Sequence, residues 1–165
     1  AASGVDLAEY AAPFDLVWVA LSKGLGAPVG SVLAGQAEHI ATARRVRKRL
    51  GGGMRQAGIL AAAGRYALAH HREQLTTDHA HAQRLAHALH ELPAFEIDPS
   101  TVETNIVIFD TVDAPAETVA DTLSDEGIGL TPFGPHTLRA TTHRDVSSRD
   151  IDNVIDTLYT LYGRA

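Results

Sequence analysis

Cysteine is absent from the 165 residues, which excludes a disulfide framework, a thiolate metal site and a cysteine nucleophile. Lysine is nearly absent as well: of 14 basic residues only Lys23 and Lys48 are lysines, and the rest are arginine. No apolar run approaches the roughly 18 residues that a membrane span requires, so no membrane partner is expected. Positive charge is in deficit, and a net charge of −6 argues against nucleic acid as the main partner. The first residues carry Asp6, Glu9 and Asp15 and no basic start, unlike a secretory leader. An initiator methionine is missing too, so the chain is expected to be part of a longer one. A cytoplasmic, reducing location fits the lack of cysteine.

What is present has the balance of a soluble globular protein, with 45% hydrophobic and 21% charged residues and room for one domain or two small ones. Val5 to Tyr10 reads as a short helix. Val17 to Leu21 is a β-branched apolar run of strand length, expected to be buried, and Val29 to Leu33 reads as a second strand after the break at Pro28. Gln36 to Arg49 is helical in pattern, basic at its end and stopped by Gly51-Gly52-Gly53. A long helical stretch follows from Arg55 to Leu92, with a possible break near Leu75 to Asp78, and Pro93 ends it. Beyond it come a strand over Glu103 to Asp110, a helix over Ala116 to Glu126, and strands over Ile128 to Thr131 and Thr137 to Thr142. The last helix, Ser147 to Tyr162, carries an apolar stripe at Ile151, Val154, Ile155, Leu158 and Leu161. This second part is a small α+β domain with helices on one face of a sheet, and the boundary falls near Thr76.

Lys23 stands at the exit of the first apolar strand, in Ser22-Lys23-Gly24-Leu25-Gly26-Ala27-Pro28. An ammonium placed there should be paired or chemically used, because burying it alone is costly. Desolvation also frees such an amine to attack an aldehyde. On spacing alone the plainer reading, a surface lysine in a Gly-rich turn, is the favoured one. Arg139 lies on a predicted strand, and its guanidinium fork suits an amino-acid carboxylate as well as it suits a neighbouring acid. Arg44, Arg45, Arg47, Lys48, Arg49 and Arg55 form a basic cluster with no interleaved aromatic residues, which disfavours base stacking. His70, His71, His79, His81, His87 and His90 include no pair at i,i+4, so they read as polar-face residues and no metal is expected.

Three blocks carry a family resemblance. Ser22 to Ser31, then Gly51-Gly52-Gly53-Met54-Arg55-Gln56 with Ala61-Ala62-Ala63-Gly64, and finally Leu138-Arg139-Ala140-Thr141-Thr142-His143 before Asp145-Val146-Ser147 resemble the low-specificity threonine aldolases, in the same order. These are pyridoxal phosphate enzymes of the aspartate aminotransferase fold, or fold type I. The resemblance implies an α/β chain in which residues 1–75 end the large cofactor domain and residues 76–165 form the small domain. It implies that Lys23 holds pyridoxal 5'-phosphate covalently and that Arg55 lies near the cofactor phosphate. By the same resemblance Arg139 and Lys48 meet the substrate, and the subunits pair as a dimer or tetramer. The phosphate loop, a histidine stacked on the ring and an Asp-x-x-Arg pair are expected in an N-terminal part of the same enzyme that precedes this chain.

The implied activity is cleavage of a threonine-like β-hydroxy-α-amino acid into glycine and an aldehyde, with this chain alone inactive. The alternatives keep the cofactor but change the bond broken, as a β-eliminating lyase or an amino-acid racemase. A silent fragment that needs a separate N-terminal part, or a nucleic-acid module built on the basic cluster, complete the set.

Overall fold

A computed structural model describes residues 1–163 and divides into two compact units, Ser3–Glu73 and the chain from Gln74 onward. The first unit opens with α1 (Leu7–Ala11), whose N-cap Asp6 accepts the Ala8 N–H at 2.7 Å. An antiparallel ribbon follows, β1 (Leu16–Ala20) with β2 (Ser31–Gly35), in a register running from Leu16 opposite Gly35 to Ala20 opposite Ser31. β2 begins two residues later than the apolar pattern predicts, because Gly30 takes φ +111 and cannot continue an extended strand. The burial expected of the first strand is not found. Trp18 is 66% exposed, and Leu16, Val19, Val32 and Leu33 are exposed as well. A two-stranded ribbon has one hydrogen-bonded neighbour per strand, and its apolar faces are left largely open among the described residues.

α2 (Ala37–Arg49) keeps its basic residues Arg47, Lys48 and Arg49 in the last turn, where they complement the helix dipole. The glycines beyond it fold back on the helix end: the Gly52 N–H donates to the Arg47 carbonyl at 2.8 Å. A Cβ on Gly52 would stand 2.5 Å from Arg47 Cγ, so the close approach needs glycine there. The long helical stretch resolves into α3 (Gly58–His70) and α4 (Gln74–His90). Its break lies at residues 71–73, ahead of the expected 75–78, and Asp78 sits buried inside α4.

The second unit is an antiparallel sheet in the order β3 (Phe95–Glu96), β4 (Ile106–Thr111), β6 (Thr137–Thr141), β5 (Thr131–Pro132). β3 escaped the sequence reading because two residues show no period. β4 starts at Ile106, three residues into its predicted span, and β5 replaces the predicted Ile128 to Thr131 strand by Thr131–Pro132. Alternation sets the two faces. Val107, Phe109, Leu138 and Ala140 point into the core with Leu85 and Leu89 of α4 and with Val119 and Leu123 of α5 (Ala116–Asp125). The rings of Phe95 and Phe109 meet edge to face at 5.4 Å. Each fully buried leucine here contributes about 1.5–3 kcal/mol.

α6 (Ser148–Tyr162) closes this unit and is tied to α4 by the Arg84–Asp152 ion pair, and its Tyr159 hydroxyl donates to Glu91, just past the end of α4. Its start is a capping box: Asp150 N–H donates to Ser147 Oγ at 3.2 Å, while the Ser147 N–H donates to Asp150 Oδ2 at 2.8 Å. The predicted stripe is too long by one residue, since Ile151 and Leu158 are buried but Leu161 is exposed, and Tyr162 packs on the core instead.

Candidate functional site

Lys23 lies in the loop that joins β1 to β2, and the loop is tied down at several points. The Leu21 N–H donates to the Gly30 carbonyl at 2.9 Å and closes its base. Gly26 N–H donates to the Lys23 carbonyl at 2.7 Å, and Ala27 N–H donates to the Leu21 carbonyl at 2.9 Å. Leu21, Leu25 and Ala27 are buried together with Ala67 of α3. Lys23 itself is exposed, so the desolvation expected of its amine is not supplied by the described residues. What the chain does supply is a fixed backbone beneath an accessible amine.

Arg139 sits in the middle of β6, opposite Ile108 on one side and Thr131 on the other. Its neighbours Leu138 and Ala140 point to the helices of this unit, so Arg139 points to the opposite face of the sheet. Its Cζ lies 5.4 Å from the centre of the exposed Phe133 ring. Nε is buried and has no hydrogen-bond partner among the described residues. Nor does any ion pair among the described residues involve Arg139, so the surface ion pair that the sequence left open is not formed. The guanidinium thus keeps one donor withheld from water and no paired acid among the described residues.

Lys48 ends α2, and Arg55 lies in the connection from α2 to α3; both are exposed. None of the six cations of the basic cluster forms an ion pair among the described residues. Lys48 Nζ stands against Gly53, where a Cβ would lie 3.1 Å from it. Lys23, Lys48 and Arg55 belong to the first unit and Arg139 to the second, and no hydrogen bond joins Lys23, Lys48 and Arg55 to one another among the described residues.

The family model described as "Beta-eliminating lyase" matches residues 1–112. The chain belongs to that family. It is 39% identical over 155 residues to the low specificity L-threonine aldolase of Escherichia coli K12, and 39% identical over 153 residues to low-specificity L-threonine aldolase 1 of Arabidopsis thaliana. These matches take in 93% and 91% of this chain but 44% and 43% of the relatives, so the chain spans less than half the length of either. Among solved structures, the Sphingomonas wittichii serine palmitoyltransferase superposes with a TM-score of 0.70 at 19% identity, covering 94% of this chain and 42% of the enzyme. The fold is therefore the expected one, the α/β fold of fold-type-I enzymes over part of its length.

Within the beta-eliminating lyase family match lie Lys23, Lys48 and Arg55, whereas Arg139 lies beyond residue 112. Two side chains in contact with these segments escaped the sequence reading. Phe133 gave no signal, being a lone aromatic before Gly134-Pro135. His71 was grouped with polar-face histidines, yet its Nδ1 lies 2.7 Å from the Leu25 carbonyl. His81 departs from that grouping too: it is buried, with Nε2 3.0 Å from Ser148 Oγ. His143 is exposed, 3.8 Å from the Asp145 carboxylate.

Proposed function

We propose that this chain is the lysine-bearing portion of a pyridoxal phosphate-dependent lyase that cleaves threonine-like β-hydroxy-α-amino acids to glycine and an aldehyde. The observation that carries the reading is the exposed Lys23 amine on a loop held by three backbone bonds and a buried anchor. The names of the relatives support the substrate class, and a structural neighbour described as SPT with PLP internal aldimine supports the cofactor, with a TM-score of 0.69 at 18% identity.

The residues present fit the cofactor. Lys23 offers the primary amine, and the unpaired cations Lys48 and Arg55 suit anionic groups. Arg55 is assigned to the cofactor phosphate, Lys48 and Arg139 to the substrate. The bound cofactor supplies an electron sink for the pair released from the Cα–Cβ bond. Arg139 would hold the substrate carboxylate with two parallel N–H donors and so fix the orientation of the bonds at Cα. The β-hydroxyl would give up its proton as the aldehyde leaves and Cα would gain one to leave glycine, with the base for that proton assigned to the rest of the protein. Phosphate donors and an acid for the ring nitrogen are not recognisable in residues 1–21 and are assigned to the rest of the protein. Residues 1–165 alone are accordingly expected to be inactive, and the assembled enzyme is expected to be a homodimer or homotetramer, with the basic cluster at an interface or facing an anion.

The full-length enzyme, loaded with cofactor and given threonine, serine and phenylserine, tests the reaction. Glycine with acetaldehyde from threonine, and glycine with benzaldehyde from phenylserine, are the expected products. Pyruvate and ammonia from serine, with no glycine from threonine, would reassign the chain to β-elimination, and racemised substrate would reassign it to a racemase.

A further inference from the structure

We propose that His71 is a positioning residue for Lys23, holding the lysine loop through the carbonyl of Leu25. The inference rests on the reading of Lys23 as the cofactor-bonding amine. A carbonyl oxygen only accepts, so the 2.7 Å contact to Leu25 requires the proton on Nδ1 of His71. The neutral ring then keeps Nε2 as its acceptor, and the charged ring keeps the same Nδ1 bond, so the clamp holds in either state.

His71 is placed to do this by the end of a helix. It is the C-cap of α3, and its own N–H donates to the Ala67 carbonyl at 2.9 Å. Its ring packs edge to face on Tyr66 at 5.3 Å between centres, which limits its rotation. Ala67, whose carbonyl caps the helix through His71, is also the α3 residue buried with Leu21, Leu25 and Ala27. Helix end, imidazole and loop therefore form one connected set.

The point gripped is what gives the clamp a catalytic consequence. Leu25 is two residues beyond Lys23, and the Lys23 carbonyl already accepts the Gly26 N–H. The backbone is thus fixed on both sides of Gly24, next to the residue that bears the amine. Without the ring, the loop keeps its apolar anchor but loses the only side-chain hydrogen bond made to its backbone among the described residues. An amine that must meet a carbonyl carbon within a narrow range of approach loses rate when its backbone wanders by an ångström.

Substitution at His71 in the full-length enzyme tests this. Asn carries its amide nitrogen where the imidazole carries Nδ1, Gln carries it one carbon further out, and Leu carries no donor. In H71L we expect the Gly26 and Ala27 amides to exchange hydrogen about fivefold faster. The visible absorbance of lysine-bound cofactor should grow in more slowly on reconstitution, by a similar factor. H71N should stay within about twofold of the parent on both measures and H71Q should follow H71L; should H71L fold poorly, the Asn and Gln pair decides. Parent-like exchange and attachment in H71L and H71Q, with the pyridoxyl group mapped to Lys23 after borohydride reduction, would overturn the role of His71 alone. A pyridoxyl group mapped to any other lysine would overturn the reading of Lys23 instead.

Discussion

Replacing Arg139 by leucine should weaken the full-length enzyme's grip on its amino-acid substrate while leaving the cofactor in place. The side chain projects from the face of the sheet opposite Leu138 and Ala140, its Nε buried and, among the described residues, without a hydrogen-bond partner or a paired acid. Removing the guanidinium therefore strands no internal carboxylate, and the cost falls on the ligand. A charge-assisted bidentate contact is worth about 1.5–3 kcal/mol. At about 1.4 kcal/mol per decade, that is a rise of roughly tenfold to hundredfold in KM and in the Kd for glycine. Stability should change little, since the stacking on the exposed Phe133 ring that is lost is worth about 0.5–1 kcal/mol and leucine suits a strand position flanked by Ile108 and Thr131. Arg139→Lys keeps the charge without the fork and should fall between the two. The assay pairs KM and glycine affinity with the absorbance of lysine-bound cofactor, which should match the parent. An unchanged KM and glycine affinity in Arg139→Leu would refute the carboxylate role.

Two further outcomes are expected. Ser147→Ala removes the capping box of α6 and should cost about 1 kcal/mol at neutral pH by urea denaturation. The Ser147 hydroxyl and N–H both donate to Asp150 and hold its carboxyl below the ordinary value of 3.8. A depressed folded-state value means that this stabilisation is present above the ordinary carboxylate range and lost as pH falls. The gap between parent and variant should therefore narrow in acid, and a gap that widens would contradict it. Residues 1–165 expressed alone should bind a hydrophobic dye and self-associate through the open ribbon, and Trp18→Asp with Leu33→Lys should lower both by light scattering and fluorescence; unchanged scattering would show that another surface is responsible.

Much of the second unit was legible because its signals are local. The alternation of β4 and β6 and the Ser147–Asp150 cap are written in neighbouring residues, and they emerged within a few positions of where the sequence put them. The first unit was less legible. Val17 to Leu21 reads as buried because β-branched apolar residues usually are, but burial depends on what lies against a strand, which no local pattern encodes. The break between α3 and α4 was misplaced for a related reason. It coincides with a histidine whose ring turns back to a carbonyl 46 positions earlier, a contact without any spacing signature. Lys23 and Arg139 were singled out from residue type, turn composition and family resemblance, while the unpaired Nε beside Phe133 required three-dimensional placement.

The most direct test of the account is where the cofactor bonds. The full-length enzyme, loaded with pyridoxal phosphate, is reduced with borohydride, digested and mapped by mass spectrometry. A single pyridoxyl adduct on Lys23, lost in Lys23→Ala and unaffected in Lys48→Ala, is the predicted result. An adduct on Lys48, or none on the peptide spanning Ser22 to Arg44, would contradict it.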